Sequence, residues 1–214
     1  IFSNSYNNTI LENNISHNLE NGISFYSSSG EVNFNRIVGN NLYGLITNDN
    51  CTVNATNNWW GTNNPTNLST NGSDIYNNGG IVYHEAWLML NLNGSVIHVT
   101  HNSTSDSEIT VDLTHNNQGD NTSPYGTIPD GIPVNFTTTL GTINSTATTR
   151  KGKITVTLTS SPSSGATTVT ATLDNQQVSK SFRKSFSTIQ AAISNSLTVD
   201  GDVIVVENGT YTEN

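Results

Sequence analysis

The chain has 214 residues, of which 34 Asn, 25 Ser and 31 Thr make up two fifths, while only 11% are charged. Its formal net charge of −9 argues against nucleic acid as a partner, because phosphate binding needs a basic surface. A single cysteine, Cys51, excludes an intrachain disulfide framework, and no apolar run approaches the roughly 18 residues of a membrane span.

Such polarity would signal disorder if the apolar residues were scattered. Instead Val, Ile, Leu and Phe recur with period two between polar runs, so the chain reads as folded and all-β. Charge is unevenly placed. Residues 1–149 carry one cation, Arg36, against eleven acids, whereas residues 150–184 carry six cations against Asp174. A cluster of that kind reads first as a solvated face.

Residues 1–64 are self-similar at a step of 22. The step relates Ile1, Ile23 and Leu45, and also Ile10 to Val32, Ile15 to Ile37, and Asn18 to Asn40. A repeat of this length predicts parallel strands stacked about 4.8 Å apart, each turn burying its apolar face against the next. Ile1, Ile23 and Leu45 are expected in one inward column, with Asn13 over Asn35 and Asn18 over Asn40 at the corners. Trp59 and Trp60, followed by Gly61, suit a plug over the last turn. Ile1 stands at a mid-repeat position, so a preceding segment is expected to cover it.

The Asn-rich turns and their Asn57-Asn58-Trp59-Trp60-Gly61 ending resemble the right-handed parallel β-helix repeats of archaeal, methanogen-type surface and adhesin-like proteins. The resemblance implies a rigid stalk or a carbohydrate-facing surface. Pectate lyases and polygalacturonases of the same fold carry clustered Asp, Arg and Lys. Here Arg36 is the one cation, and Glu12, Glu20, Glu31 and Asp49 form no pair at matching positions of adjacent turns. No catalytic residue and no enzyme activity are therefore expected.

Residues 65–82 read as a linker or surface loop. From 83 to 182 the strands lengthen, with candidates at 86–92, 108–114, 134–138, 152–158, 167–173 and 177–182. Six or seven strands in about 100 residues fit a β-sandwich. The run from Pro129 to Thr137, then Leu140-Gly141-Thr142-Ile143 and Thr167 to Asn175, resembles the bacterial immunoglobulin-like domains of the invasin and intimin type. That resemblance implies a tandem, rod-forming spacer or adhesion arm.

Residues 183–214 change register again. Ile189, Ala192 and Ile193 share one face at helical spacing, and 203–206 form a strand pattern. The segment looks like the cap and first turn of another β-helix, expected to complete the next copy head to tail. Ile1, Phe2, Val203, Val205 and Tyr211 are the expected assembly interface, whether the joining is covalent or by strand addition.

No metal or cofactor is expected, since His98 and His101 point to opposite faces of a strand and the Asp200-Gly201-Asp202 turn alone falls far short of a Ca²⁺ ligand set. Lys151 or Lys153 with a nearby Asn has the ingredients of an isopeptide crosslink. Of twelve Asn-x-Ser/Thr sequons, Asn67, Asn71, Asn93, Asn102, Asn121, Asn144 and Asn208 are the glycosylation candidates. The reading is an extracellular, cell-surface structural protein, the repeating unit of a stalk, fibre or surface layer. Its expected partners are other copies of itself, with cell-wall or host glycans if it serves as an adhesin.

Overall fold

The computed structural model describes residues 1–65, 68, 74–94, 97–98, 106–161, 167–182, 184–185 and 189–194. The chain first makes short strands: β1 (Phe2–Ser3), β2 (Asn8–Leu11), β3 (Asn14–Ser16), β4 (Ile23–Tyr26), β5 (Ser29–Asn33), β6 (Arg36–Val38), β7 (Leu45–Asn54) and β8 (Ile75–Tyr83). Every pairing among them is parallel. β1, β4, the first half of β7 and the first half of β8 stack in that order, as do β2, β5 and the second halves of β7 and β8. β3 pairs with β6, and single bridges continue from Arg36 to Trp59 and from Asn58 to Trp87.

The 22-residue step sets these registers. Ile10 faces Val32, Ile15 faces Ile37, and Ile23 faces Leu45, which faces Ile75. Their inward side chains form one buried cluster with Phe25, Val53, Ala55 and Trp60. At the corners Asn4, Asn7, Asp49, Asn50 and Asn57 take left-handed backbone, which Asx residues tolerate best after glycine. The expected amide stacking is present. Asn18 Nδ2 donates to Asn40 Oδ1 at 2.7 Å, and the backbone N–H groups of Asn13 and Asn35 donate to the Oδ1 atoms of Asn35 and Asn58, each at 2.9 Å. Asn58, fully buried, donates to the carbonyls of Val32 and Ala55, so the amide ladder supplies partners for backbone groups that no strand satisfies.

Three expectations need correction. Ile1 is 93% exposed and outside the inward column, because β1 meets β4 with Phe2 opposite Phe25, a step of 23. One extra residue between β1 and β2 shifts the register, and a one-residue shift turns every side chain to the other face. Residues 75–83, expected in a loop, form β8, a fourth parallel layer on β7. Its step is 30 residues from Leu45 to Ile75, so the longer connection hides the repeat. Trp59 and Trp60 accordingly plug nothing; Asn58 bridges onward to Trp87, and both indoles are core.

Next come β9 (Leu88–Gly94), β10 (Ile97–His98), β11 (Asp106–Asn116), β12 (Pro133–Thr138), β13 (Thr142–Ile143), β14 (Thr146–Thr148), β15 (Lys153–Thr159), β16 (Thr167–Leu173) and β17 (Gln176–Phe182). Two antiparallel four-stranded sheets result, ordered β13-β15-β11-β9 and β14-β12-β16-β17. β12, β15 and β16 alternate buried apolar with outward polar residues, as strands with one packed face must. Leu90, Ile109, Val111, Val156 and Leu158 of one sheet share a core with Val134, Phe136, Val169 and Leu173 of the other. β18 (Lys184–Ser185) pairs in parallel with β10, and α1 (Ile189–Ile193) falls where the sequence places a helix. Among the described residues, the regular structure apart from that five-residue helix is all β.

Candidate functional site

The joint between the parallel layers and the antiparallel sheets is the most elaborately bonded feature. Phe34, Val38 and Trp59 belong to the same buried cluster as the sandwich core. Asp174 sits in the tight β16–β17 turn with φ of 53°, a conformation open to Asp. Its carboxylate accepts from Arg36 Nε at 3.1 Å, from Arg36 Nη2, and from Trp59 Nε1 at 2.7 Å. Arg36 is 9% exposed, and its Nη1 donates to Asn14 Oδ1 at 2.7 Å. A buried guanidinium is tolerated only when its fork is filled in this way.

Smaller contacts extend the seam. Asn63 exchanges two hydrogen bonds with the Leu90 backbone, accepting at Oδ1 from its N–H (2.6 Å) and donating Nδ2 to its carbonyl (2.9 Å). Gln176 Oε1 accepts from the Asn63 N–H at 2.8 Å. Glu12 Oε1 accepts from the Thr127 N–H at 3.1 Å. Gly126 lies so close to the Phe34 ring that a Cβ there would fall 2.4 Å from it. The sequence showed none of this: Arg36 and Asp174 are 138 residues apart.

A second feature is an open depression of about 420 Å³ on the sandwich, lined by Met89, Asn91, Asn93, Asp112, His115 and Asn117 among others. A register irregularity in β11 between Asp112 and His115 shapes it. Asp112 Oδ1 accepts from Thr114 N–H and Oγ1 at 2.7 and 2.6 Å, and Lys153 Nζ stands 3.2 Å from Oδ2. Burial opposes ionisation of this carboxyl, but Thr114 and Lys153 outweigh it and hold it below the ordinary carboxylate range. The Lys153 side chain is 52% exposed. Lys153 thus pairs with Asp112.

A third feature is the outward side of β2, β5, β7 and β8. Ser29, Thr52 and Ile81 stand opposite one another in one row, and Thr9, Glu31, Asn54 and Tyr83 in the next. All of these except Ile81 line an open depression of about 280 Å³.

Of the expected interface residues, Ile1 is exposed and Phe2 is half-buried, stacked on Phe25 with centroids 4.9 Å apart. Val203, Val205 and Tyr211 lie outside the described residues, as do the sequon residues Asn67, Asn71, Asn102 and Asn208. Asn93 is exposed on β9 opposite Thr110. Asn144 is exposed between β13 and β14. Asn121 is exposed and bridges to His115 just before a turn, and its Oδ1 accepts from Ser123 N–H and Oγ at 3.1 and 2.8 Å. Glu12 and Glu31 each engage a different neighbour and do not meet.

No protein-family model matches the chain. No curated protein matches it either. Among solved structures it is similar to the D0-D1 domain of Intimin, at 24% identity over 46% of this chain and 49% of that one, with a TM-score of 0.33. It is similar also to the D00-D0 domain of Intimin, at 19% identity over 51% of this chain and 50% of that one, with a TM-score of 0.32. The chain spans about half the length of each structure, and at these TM-scores the likeness carries no argument. What the strands themselves establish is an all-β chain in which parallel layers and an antiparallel sandwich share one buried seam.

Proposed function

We propose that this chain is an extracellular structural module without catalytic activity, a rigid unit in a cell-surface stalk, fibre or surface layer. In this reading the parallel layers are turns of a right-handed parallel β-helix, the hand that parallel crossovers almost always take. The single observation that carries it is the seam. A linker-joined pair of domains moves freely unless the interface is large and apolar. Here Phe34, Val38 and Trp59 enter the sandwich core, and Asp174 ties Arg36 and Trp59 across the boundary. Such a joint transmits orientation, as a stalk requires. Solution X-ray scattering tests this: the native chain should fit one fixed arrangement, and Asp174→Ala should broaden it. A native profile that demands many interdomain angles would overturn the proposal.

Assembly head to tail belongs to the same reading. β1, β2 and β3 are edge strands whose outer backbone groups have no strand partner among the described residues, and Ile1, Tyr6, Leu11 and Leu19 are exposed beside them. A further layer, from this polypeptide or from another copy, would pair there, in the manner of the archaeal surface repeats that the sequence resembles.

An adhesin is the second reading. The outward face of β2, β5, β7 and β8 favours it, because hydroxyls, amides, one carboxylate and an exposed tyrosine share one shallow depression.

A further inference from the structure

We propose that this outward face binds a neutral oligosaccharide, with Glu31 and Tyr83 as its two principal contacts. The inference deepens the adhesin reading and rests on it. Thr9, Glu31, Asn54 and Tyr83 occupy successive parallel strands, so neighbours in the row stand about 4.8 Å apart.

Glu31 is held ready. Its Oε2 accepts from Asn54 Nδ2 at 2.7 Å, and Asn54 Oδ1 is itself fixed by Thr56 N–H and Oγ1 at 3.2 and 2.8 Å. A carboxylate pinned by a pinned amide loses little rotamer freedom on binding. When ionised it only accepts hydrogen bonds, so its partner must donate, and two adjacent ring hydroxyls make a matching bidentate donor. Two strands further on, about 10 Å away, Tyr83 is 47% exposed and Ile81, in the neighbouring row, is 53% exposed. Together they form an apolar ledge suited to the C–H face of a sugar ring, with the Tyr83 hydroxyl at its wet end. Thr52 lies on the strand between, exposed and uncharged. Two linked sugar rings span roughly that 10 Å, so a di- or trisaccharide is the shortest ligand to reach both contacts.

Charge and backbone narrow the class. The lining residues include Glu31 and no cation, so uronates and sulfated sugars would be repelled. An added peptide strand would pair along the β2 edge and not across this face, because β5 and β7 are paired on both sides. What remains is a neutral, hydroxyl-rich ligand lying across the strands.

The test is an amide NMR titration of the 214-residue chain with cellotriose, maltotriose and chitotriose, and with trigalacturonate as the anionic comparison. At least one neutral trisaccharide should shift the signals of Glu31, Asn54 and Tyr83 saturably, while trigalacturonate leaves them in place. Glu31→Gln and Tyr83→Ala should each weaken that binding about tenfold or more. Glu31→Gln is isosteric at an exposed position, so a folding defect would not mask the result. Three outcomes would overturn the inference: no saturable shift at these residues with any neutral sugar up to about 20 mM, equal binding of trigalacturonate, or indifference to both variants. Each leaves the structural reading standing, because that reading is judged by interdomain geometry in solution.

Discussion

Replacing Asp174 by alanine isolates the seam. The substitution removes the carboxylate that accepts from Arg36 and from the Trp59 indole, both of which are buried. Stranding one partner of a buried ion pair costs about 3–5 kcal/mol. An unsatisfied buried N–H on Trp59 costs about 1–3 kcal/mol, and the two overlap because both groups face the same void. We expect a loss of about 4 kcal/mol, which for a chain of this size lowers Tm by roughly 8–16 °C. Asp174→Asn loses the charge but can keep an oxygen in the place of Oδ2, which accepts from both Arg36 Nε and Trp59 Nε1, and should lose about half as much. Lys153→Met is the comparison: it breaks an ion pair whose lysine is half exposed, and should cost under about 1 kcal/mol. Chemical denaturation read by tryptophan fluorescence and by far-UV circular dichroism measures all three. The two signals should coincide in the native chain and separate in Asp174→Ala, as the parallel layers and the sandwich lose their common transition. A loss below about 1 kcal/mol with coincident signals would show that the clamp is incidental to the joint.

Asn58→Leu should destabilise by about 2–4 kcal/mol despite its similar volume, since it strands the Val32 and Ala55 carbonyls and the Asn35 N–H in the core; equilibrium unfolding measures this. Gly30→Ala should cost about 1–3 kcal/mol in the same assay, because its Cβ would lie 2.6 Å from the Asn8 carbonyl oxygen and 3.0 Å from the Phe25 ring. Burial raises the Asp74 carboxyl from 3.8 to about 6, so the folded state holds a proton that the unfolded state has already released. Its contribution is complete below pH 3.8 and is lost as pH rises to about 6, a decline of about 1–2 kcal/mol for this half-buried group. Asp74→Asn should remove that slope, as urea unfolding at a series of pH values will reveal. Asp112 acts oppositely: its carboxyl is lowered, so its contribution is present above the ordinary carboxylate pKa and fades as pH falls below it.

The sequence by itself determined the local order. Period-two alternation announced the strands of the sandwich, and all six proposed segments begin within two residues of observed ones. The 22-residue step determined which residues of adjacent turns meet, because parallel layers in register repeat their side chains layer by layer. It also placed the amide stack of Asn18 on Asn40, a contact between identical positions of successive turns.

Tertiary structure decided wherever the spacing was interrupted or the partner was distant. One extra residue between β1 and β2 put Ile1 into solvent, and a longer connection before Ile75 concealed the β8 layer, since a periodic signal survives neither insertion. Trp59 shows the limit most clearly. Its bulk suggested a plug over the last turn, but it is core, and its indole is held by Asp174, whose position 115 residues away is set by the β16–β17 turn and not by any pattern near Trp59. The outward row of Glu31, Asn54 and Tyr83 has the same origin: strands from three separate passes bring it together, because parallel stacking aligns residues that the chain keeps 23 and 29 apart.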